Sequence, residues 1–260
     1  MKIRMFQVDA FTEKLFGGNP AAVCILTEPI ADERMQQIAS ENNLAETAFV
    51  TEASGSFNIR WCTPKVEVDL CGHATLASAH VIFQHLAYSK ETIRFSSRSG
   101  ILEVRKEKEM LVLNFPTDLL QKGCLPVAVT ESLGMDPVEI LKGKTDYLLV
   151  YESQKQIEEL DPDFTGLCKA TARGIIVTAK GEECDFVSRF FAPQVGINED
   201  PVTGSAHTTL IPYWSARLRK KEMTAIQLSA RRGFLKCKDL GERVEIAGKA
   251  VTYLVGEIDI

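Results

Sequence analysis

Ile59-Arg60-Trp61-Cys62-Thr63-Pro64-Lys65-Val66 and Ser188-Arg189-Phe190-Phe191-Ala192-Pro193-Gln194-Val195 read as two versions of one motif. Each is a strand-like run that carries one arginine and ends at a proline. Allowing three extra residues in the second copy, Gly72-His73-Ala74-Thr75 then matches Gly204-Ser205-Ala206-His207. The shared order of strand, proline, loop and glycine-led helix points to a duplicated fold.

The sequence around the two copies fits that duplication. In the first part, β-like runs cover Lys2–Phe11, Ala21–Leu26, Ala45–Thr51 and Ser56–Thr63, with an amphipathic helix over Asp32–Asn42. Asp32 suits an N-cap there, and Met35, Ile38 and Ala39 share one face. Gly72–Leu86 is apolar nearly all round, the pattern of a buried helix. A meander follows over Thr92–Phe115, turning at Ser99-Gly100. The stretch Pro116–Pro126 marks the crossing into a second half. There, helical pieces at Val127–Leu133 and Gln154–Leu160 accompany strands at Asp146–Tyr151, Gly174–Ala179 and Cys184–Ala192. A second buried helix begins near Gly204, and the tail returns to β structure, ending with Lys249–Ile258. The expected lobes are 1–116 and 117–260, allowing part of the C-terminal tail to return to the first.

Bulk properties exclude several classes of function. The 260 residues are 45% hydrophobic and 25% charged, with a net charge of −5 and no long basic run. Nucleic acid and membrane are therefore not expected partners. No apolar run approaches a membrane span, and the start of the chain turns polar too soon for a signal peptide. The seven cysteines are odd in number and irregularly spaced, which fits reduced thiols in a cytoplasmic setting. Four histidines without paired ligand spacing suggest no metal site. Gly17-Gly18-Asn19-Pro20 lacks the context of a phosphate-binding loop. The chemistry is expected from unaided side chains.

Two glycine-led helix starts on matched lobes offer unpaired N–H groups and positive dipole ends. Facing each other across a cleft, they would hold an anionic group without any Arg or Lys. Taken singly, Gly72 and Gly204 could each serve only a tight turn. His73, Asp200 and Ser205 dress these junctions. A lone histidine beside an apolar helix is commonly a satisfied core group, and Asp200-Pro201 is also an ordinary turn signal. At a helix N-terminus, the His73 pKa is expected to be lowered. Asp69 is by default an exposed loop acid. Cys71 reads as a small apolar filler or as a thiol facing the site. Glu46 opens an apolar strand, so its carboxylate either faces outward or is partly desolvated in a cleft, where burial would tune it for acid–base work.

Read in order, four segments carry a resemblance. They are Val8-Asp9-Ala10-Phe11-Thr12 with Phe16-Gly17-Gly18-Asn19-Pro20-Ala21-Ala22-Val23, then Asn43-Leu44-Ala45-Glu46-Thr47-Ala48-Phe49. Asp69-Leu70-Cys71-Gly72-His73-Ala74-Thr75 and Asn198-Glu199-Asp200-Pro201-Val202-Thr203-Gly204-Ser205-Ala206-His207 complete the set. The chain resembles the phenazine-biosynthesis PhzF-like proteins, of the diaminopimelate epimerase-like fold group, nearly end to end.

The resemblance implies an α+β fold of two pseudo-symmetric lobes, each a barrel-like sheet wrapped round a central helix, with the site between them. The central helices would be Gly72–Leu86 and Gly204–Leu218, the latter kinked at Pro212. It also implies a cofactor-free homodimeric isomerase acting on a small acid. Glu46 would take a proton from one carbon and return it to another, assisted by His73, Asp200 and Ser205. Gly72, Gly204, Asp69 and Cys71 would line the substrate. Epimerases of this fold group use two opposed thiols; Cys71 stands where the first would be, and Asp200-Pro201-Val202-Thr203-Gly204 holds no second. A non-catalytic binder of small acids is the remaining alternative.

Overall fold

A computed structural model describes residues 1–53 and 55–260. The chain divides into two compact units, residues 1–114 with 247–260 and residues 115–246. The first unit holds β1 (Lys2–Ala10), β2 (Asn19–Leu26), α1 (Asp32–Asn42), β3 (Glu46–Ala53), β4 (Ser56–Cys62), β5 (Glu67–Val68), α2 (Gly72–His85), β6 (Thr92–Ser97), β7 (Gly100–Glu107) and β8 (Met110–Pro116). The second holds β9 (Gln121–Lys122), α3 (Val127–Glu131), β10 (Glu139–Lys142), β11 (Asp146–Val150), α4 (Gln154–Glu159), α5 (Phe164–Leu167), β12 (Gly174–Lys180), β13 (Phe186–Phe191), α6 (Gly204–Leu218), β14 (Glu222–Gln227), β15 (Gly233–Asp239) and β16 (Arg243–Gly248). The last strand, β17 (Ala250–Asp259), pairs antiparallel with β1 in the first unit.

The duplication shows in the pairing pattern. In the first unit β2 and β3 are parallel, β3 and β4 antiparallel, and β4 and β6 parallel. The second unit repeats this: β11 and β12 are parallel, β12 and β13 antiparallel, and β13 and β14 parallel. Parallel neighbours need a crossover, usually helical. Here α1 supplies the crossover between β2 and β3, and α2 that between β4 and β6; α4 with α5, and then α6, do the same in the second unit.

The repeated arginines make matching ion pairs. Arg60 grips Glu67 through Nε and Nη2, both at 2.7 Å. Arg189 grips Glu199 in the same two-pronged way, at 2.8 and 3.0 Å. Each pair ties the strand before the proline to the chain leading into the next helix, so the path to both helix starts is fixed alike.

Each central helix is enclosed by sheet. Helix α2 packs on β1, β2, β3, β7 and β17, and buries His73 through Ala79 with Val81 and Ile82. Helix α6 packs on β14 and β15, runs from Gly204 to Leu218 through Pro212, and stacks Trp214 on Phe186 at 5.9 Å. The amphipathic α1 covers the outer face of the first sheet, with Met35, Ile38 and Ala39 against Cys24, Phe49 and Cys62. The expected α+β class, with a sheet around a central helix in each half, is the observed one. Asp32, however, is not the N-cap of α1. That place belongs to Ala31, and the Asp32 carboxylate accepts from Arg60 at 2.8 Å. Among the described residues no helix is long and apolar enough to cross a membrane.

Candidate active site

In the first unit, three backbone features converge on Glu46. Helix α1 stops at Asn43, which adopts the left-handed conformation at φ 48°. Three residues later β3 begins with Glu46, in register with Ala21 on β2. On the other side of β2, Gly18 turns the chain at φ +60°, and a Cβ there would sit 2.0 Å from the Ala10 carbonyl oxygen. Only glycine fits that bend, which delivers Asn19 as the first residue of β2.

The side chains gathered there are Glu46, Cys71, His73 and Asn19. His73 is the second residue of α2, its side chain 5% exposed, and its Nε2 lies 3.0 Å from Oε2 of Glu46, whose side chain is 12% exposed. Neither of these atoms has an aligned hydrogen-bond partner. On the far side of the ring, Nδ1 is 3.2 Å from Asn19 Nδ2 and 3.5 Å from Cys71 Sγ. Cys71 occupies the N-cap position of α2 without a side-chain capping bond, and its carbonyl accepts from Thr75. Glu46 is thus not an outward-facing strand residue: its carboxylate is held against a buried imidazole.

Electrostatics couples the trio. Burial pushes the Cys71 thiol up, and the Glu46 carboxylate adds to the shift. For His73, burial opposes a charge, but a Cys71 anion and the Glu46 carboxylate favour it and prevail, holding the ring well above its usual value. The expected lowering by the helix N-terminus is therefore reversed, because two potential anions lie closer to the ring than the dipole's effect can offset. The ligand atoms of Glu46, Cys71 and His73 lie within 4.8 Å of one another, so one soft cation could meet all three. Their separation in sequence, 46, 71 and 73, carries no ligand-spacing signal.

The second unit holds its own cluster, at the start of α6. Thr203 takes the N-cap position that Cys71 holds on α2, again without a side-chain capping bond. Its hydroxyl instead donates to the Asp200 carboxylate at 2.6 Å. Gln227 of β14 clamps this turn: its amide donates to the Asp200 carbonyl at 2.7 Å and accepts from the Thr203 N–H at 2.8 Å. Ser205 Oγ accepts from Arg173 Nη2 at 2.9 Å, and Arg173 is itself bound through two prongs by Asp146, whose side chain is 3% exposed. Sequence pattern gives no sign of an arginine at this junction, because Arg173 lies 32 positions before Ser205 and the pairing of β11 with β12 brings Asp146 and Gly174 together. Asp69 lies between β5 and α2. It is exposed, and its backbone carbonyl accepts from the Ser99 hydroxyl at 2.7 Å.

Comparison with known proteins fits this architecture. The family model described as phenazine biosynthesis-like protein matches residues 8–256. The chain belongs to that family. Two uncharacterised isomerases of Pseudomonas aeruginosa are 50% identical over the full length of both chains and 52% identical over 99% of both. A crystal structure of a PhzF-family phenazine biosynthesis protein from Enterococcus faecalis superposes with a TM-score of 0.97, at 43% identity and full coverage of both chains. A hydroxyproline epimerase from Agrobacterium vitis gives a TM-score of 0.66 over 99% of this chain and 92% of its own, and at 9% identity the likeness is one of fold alone.

Proposed function

We propose that this chain is an isomerase that moves a proton between two carbons of a small unsaturated or cyclic amino or hydroxy acid, without a cofactor, using Glu46 as the carboxylate that takes the proton and returns it. One observation carries the reading: a mostly buried carboxylate held 3.0 Å from a buried imidazole, with neither atom committed to an aligned hydrogen bond. A structural ion pair would be aligned and saturated; this one retains capacity for a substrate. The isomerase names of the Pseudomonas relatives support the reaction class.

Removing a carbon-bound proton is slow because the carbanion is unstable in water. Donors fixed in a closed site lower that barrier by several kcal/mol. Glu46 would draw the proton onto its carboxylate, with His73 Nε2 steadying the charge as it changes. Returned to another carbon on the same face, the proton needs no second base. In this reading the acid group of the substrate is met by an uncapped helix start, that of α2 at Gly72 or that of α6 at Gly204. His73, Asp200 and Ser205 would orient it, with Asp69 and Cys71 as further substrate-binding residues, in a cytoplasmic homodimer.

A thiol-based epimerase is the second reading, favoured by the contact of Cys71 with His73. Inversion needs a base on each side of the carbon, and Thr203 occupies the matched position on α6. The test is carbon-bound exchange in D₂O, followed by NMR over a panel of small unsaturated amino and hydroxy acids, dihydro-hydroxyanthranilate included. The proposal expects exchange that persists in Cys71→Ala. Exchange lost in Cys71→Ala but kept in Glu46→Gln would transfer the chemistry to the thiol. Binding of panel members without exchange would leave only a small-acid binder.

A further inference from the structure

Arg173 immediately precedes β12 and lies beside the start of α6 in the same unit. A guanidinium carries five N–H donors in a flat fork. Nε donates to Asp146 Oδ1 at 2.9 Å, and one hydrogen of Nη2 goes to Asp146 Oδ2. The other hydrogen of Nη2 goes to Ser205 Oγ at 2.9 Å. Among the described residues nothing accepts from Nη1, on a side chain that is 39% exposed. Arg60 and Arg189 are gripped by a carboxylate through the same two nitrogens, yet both use Nη1 as well. Arg60 directs it to Asp32 at 2.8 Å, and Arg189 to the Ile157 and Leu160 carbonyls at 3.1 and 2.7 Å. Of the three, Arg173 keeps an open edge.

We propose that Arg173 is a specificity-determining residue, whose Nη1 receives the substrate's carboxylate together with the Ser205 hydroxyl at the start of α6. This rests on the reading of the chain as an isomerase of small acids, and it makes α6, rather than α2, the helix start that meets the acid group. Side-on pairing with Asp146 turns the remaining hydrogen of Nη2, and with it Nη1, towards Ser205. Ser205 Oγ accepts from Arg173, so its own hydrogen is free to be donated, and no described residue takes it. An N–H and an O–H therefore stand side by side, an arrangement that the two oxygens of a carboxylate can accept. The uncapped N–H groups of α6 lie at the same turn.

The fork is held in place on its other sides. Its face lies over the Phe190 ring at 5.4 Å, and Gly174 leaves room for that ring, since a Cβ there would stand 2.3 Å from Phe190 Cζ. Thr145 holds both partners: its carbonyl accepts from the Arg173 N–H at 3.0 Å, and its hydroxyl donates to Asp146 at 3.2 Å. There is no surplus of positive charge. Asp146 offsets Arg173, and the Asp200 carboxylate, which accepts from the Thr203 hydroxyl at 2.6 Å, also acts on the guanidinium. Recognition thus depends on two aimed donors. A single carboxylate suits them better than a doubly charged phosphate, which Asp146 and Asp200 repel, or a neutral amide with one acceptor oxygen.

The test is nitrogen-15 NMR of the full chain titrated with acetate at neutral pH and constant ionic strength, with acetamide, chloride and inorganic phosphate in parallel. Acetate is expected to shift the Arg173 Nε–H and Gly204 amide signals saturably, while acetamide and chloride leave them in place and phosphate binds more weakly. Arg173→Met/Asp146→Asn removes the fork without stranding a charge, and the acetate dissociation constant is expected to rise at least about tenfold. Ser205→Ala is expected to raise it about fivefold. Acetate that shifts nothing saturably, or shifts centred on Gly72, overturn the proposal. So does an acetate affinity in the double variant equal to that of the wild type. Phosphate or acetamide bound as tightly as acetate overturns the selection for a carboxylate. None of these readouts needs a substrate or Glu46. Failure here leaves Glu46 standing as the proton carrier, and failure of the exchange assay leaves the carboxylate site standing.

Discussion

Acid should loosen α6 through a single buried histidine. His207 is completely buried on the first turns of α6, with Nδ1 bonded to the Thr203 carbonyl at 2.8 Å and Nε2 without a partner. The carbonyl accepts, so Nδ1 carries the hydrogen and any added proton must go to Nε2, where nothing accepts it. Phe186 lies against the ring at 6.0 Å. Burial accordingly pushes its pKa from 6.5 down to about 4. A histidine depressed in the folded state binds more protons when unfolded, so its contribution is complete above pH 6.5 and is lost as pH falls towards 4. By linkage, about 2 kcal/mol is gone at pH 5 and about 3 kcal/mol at pH 4. Urea unfolding from pH 7.5 to 4 measures this in the wild type and in His207→Gln, which cannot titrate. Other groups affect both proteins, so the difference in their pH dependence isolates His207. The wild type is expected to lose about 3 kcal/mol more than the variant over that range. Parallel pH curves would refute the assignment of His207 as a buried neutral imidazole.

Three further outcomes follow from the geometry. Gly18→Ala is expected to cost at least about 2 kcal/mol in denaturant unfolding, because φ is +60° and the new methyl meets a backbone oxygen; a loss under half that would contradict the bend described before Asn19. Arg173→Met leaves the buried Asp146 carboxylate without its partner, so a loss of about 3 kcal/mol is expected, most of it recovered in the double variant Arg173→Met/Asp146→Asn. A double variant as unstable as the single would show that Arg173 acts through other contacts. Added zinc is expected to suppress exchange reversibly by engaging Glu46, Cys71 and His73, with weaker inhibition in Cys71→Ser; equal inhibition of both proteins would place the metal elsewhere.

Much of the fold was legible because duplication leaves a double signal. The paired prolines and the glycine-led helices marked both central helices, and the apolar run of Gly72–His85 declared its burial. The short strands β9 and β10 escaped notice, since Gln121–Lys122 and Glu139–Lys142 alternate too briefly to show a period. Within the site, Glu46 was ambiguous because a strand's first residue belongs to neither face by pattern alone. The contact with His73 arises from α2 packing on β3, which is tertiary information. Asn19 sat in view within Gly17-Gly18-Asn19-Pro20, a stretch weighed as a phosphate-binding loop and set aside. Its position before Pro20, after a residue that needs positive φ, was the available signal. Arg173 and Gln227 gave none, since polar residues at a strand edge look alike until the sheet pairs them.

The central claim is that one carboxylate carries the proton, and Glu46→Gln tests it most directly. The substitution keeps the size of the side chain while removing its ability to accept and return a proton. With a substrate identified from the panel, wild type and variant are compared for deuterium incorporation at carbon in D₂O and for product formed, after circular dichroism has shown both to be folded. The account predicts a loss of about a thousandfold in both signals, the scale of a positioned acid–base group. Exchange and turnover in Glu46→Gln within tenfold of wild type would contradict it.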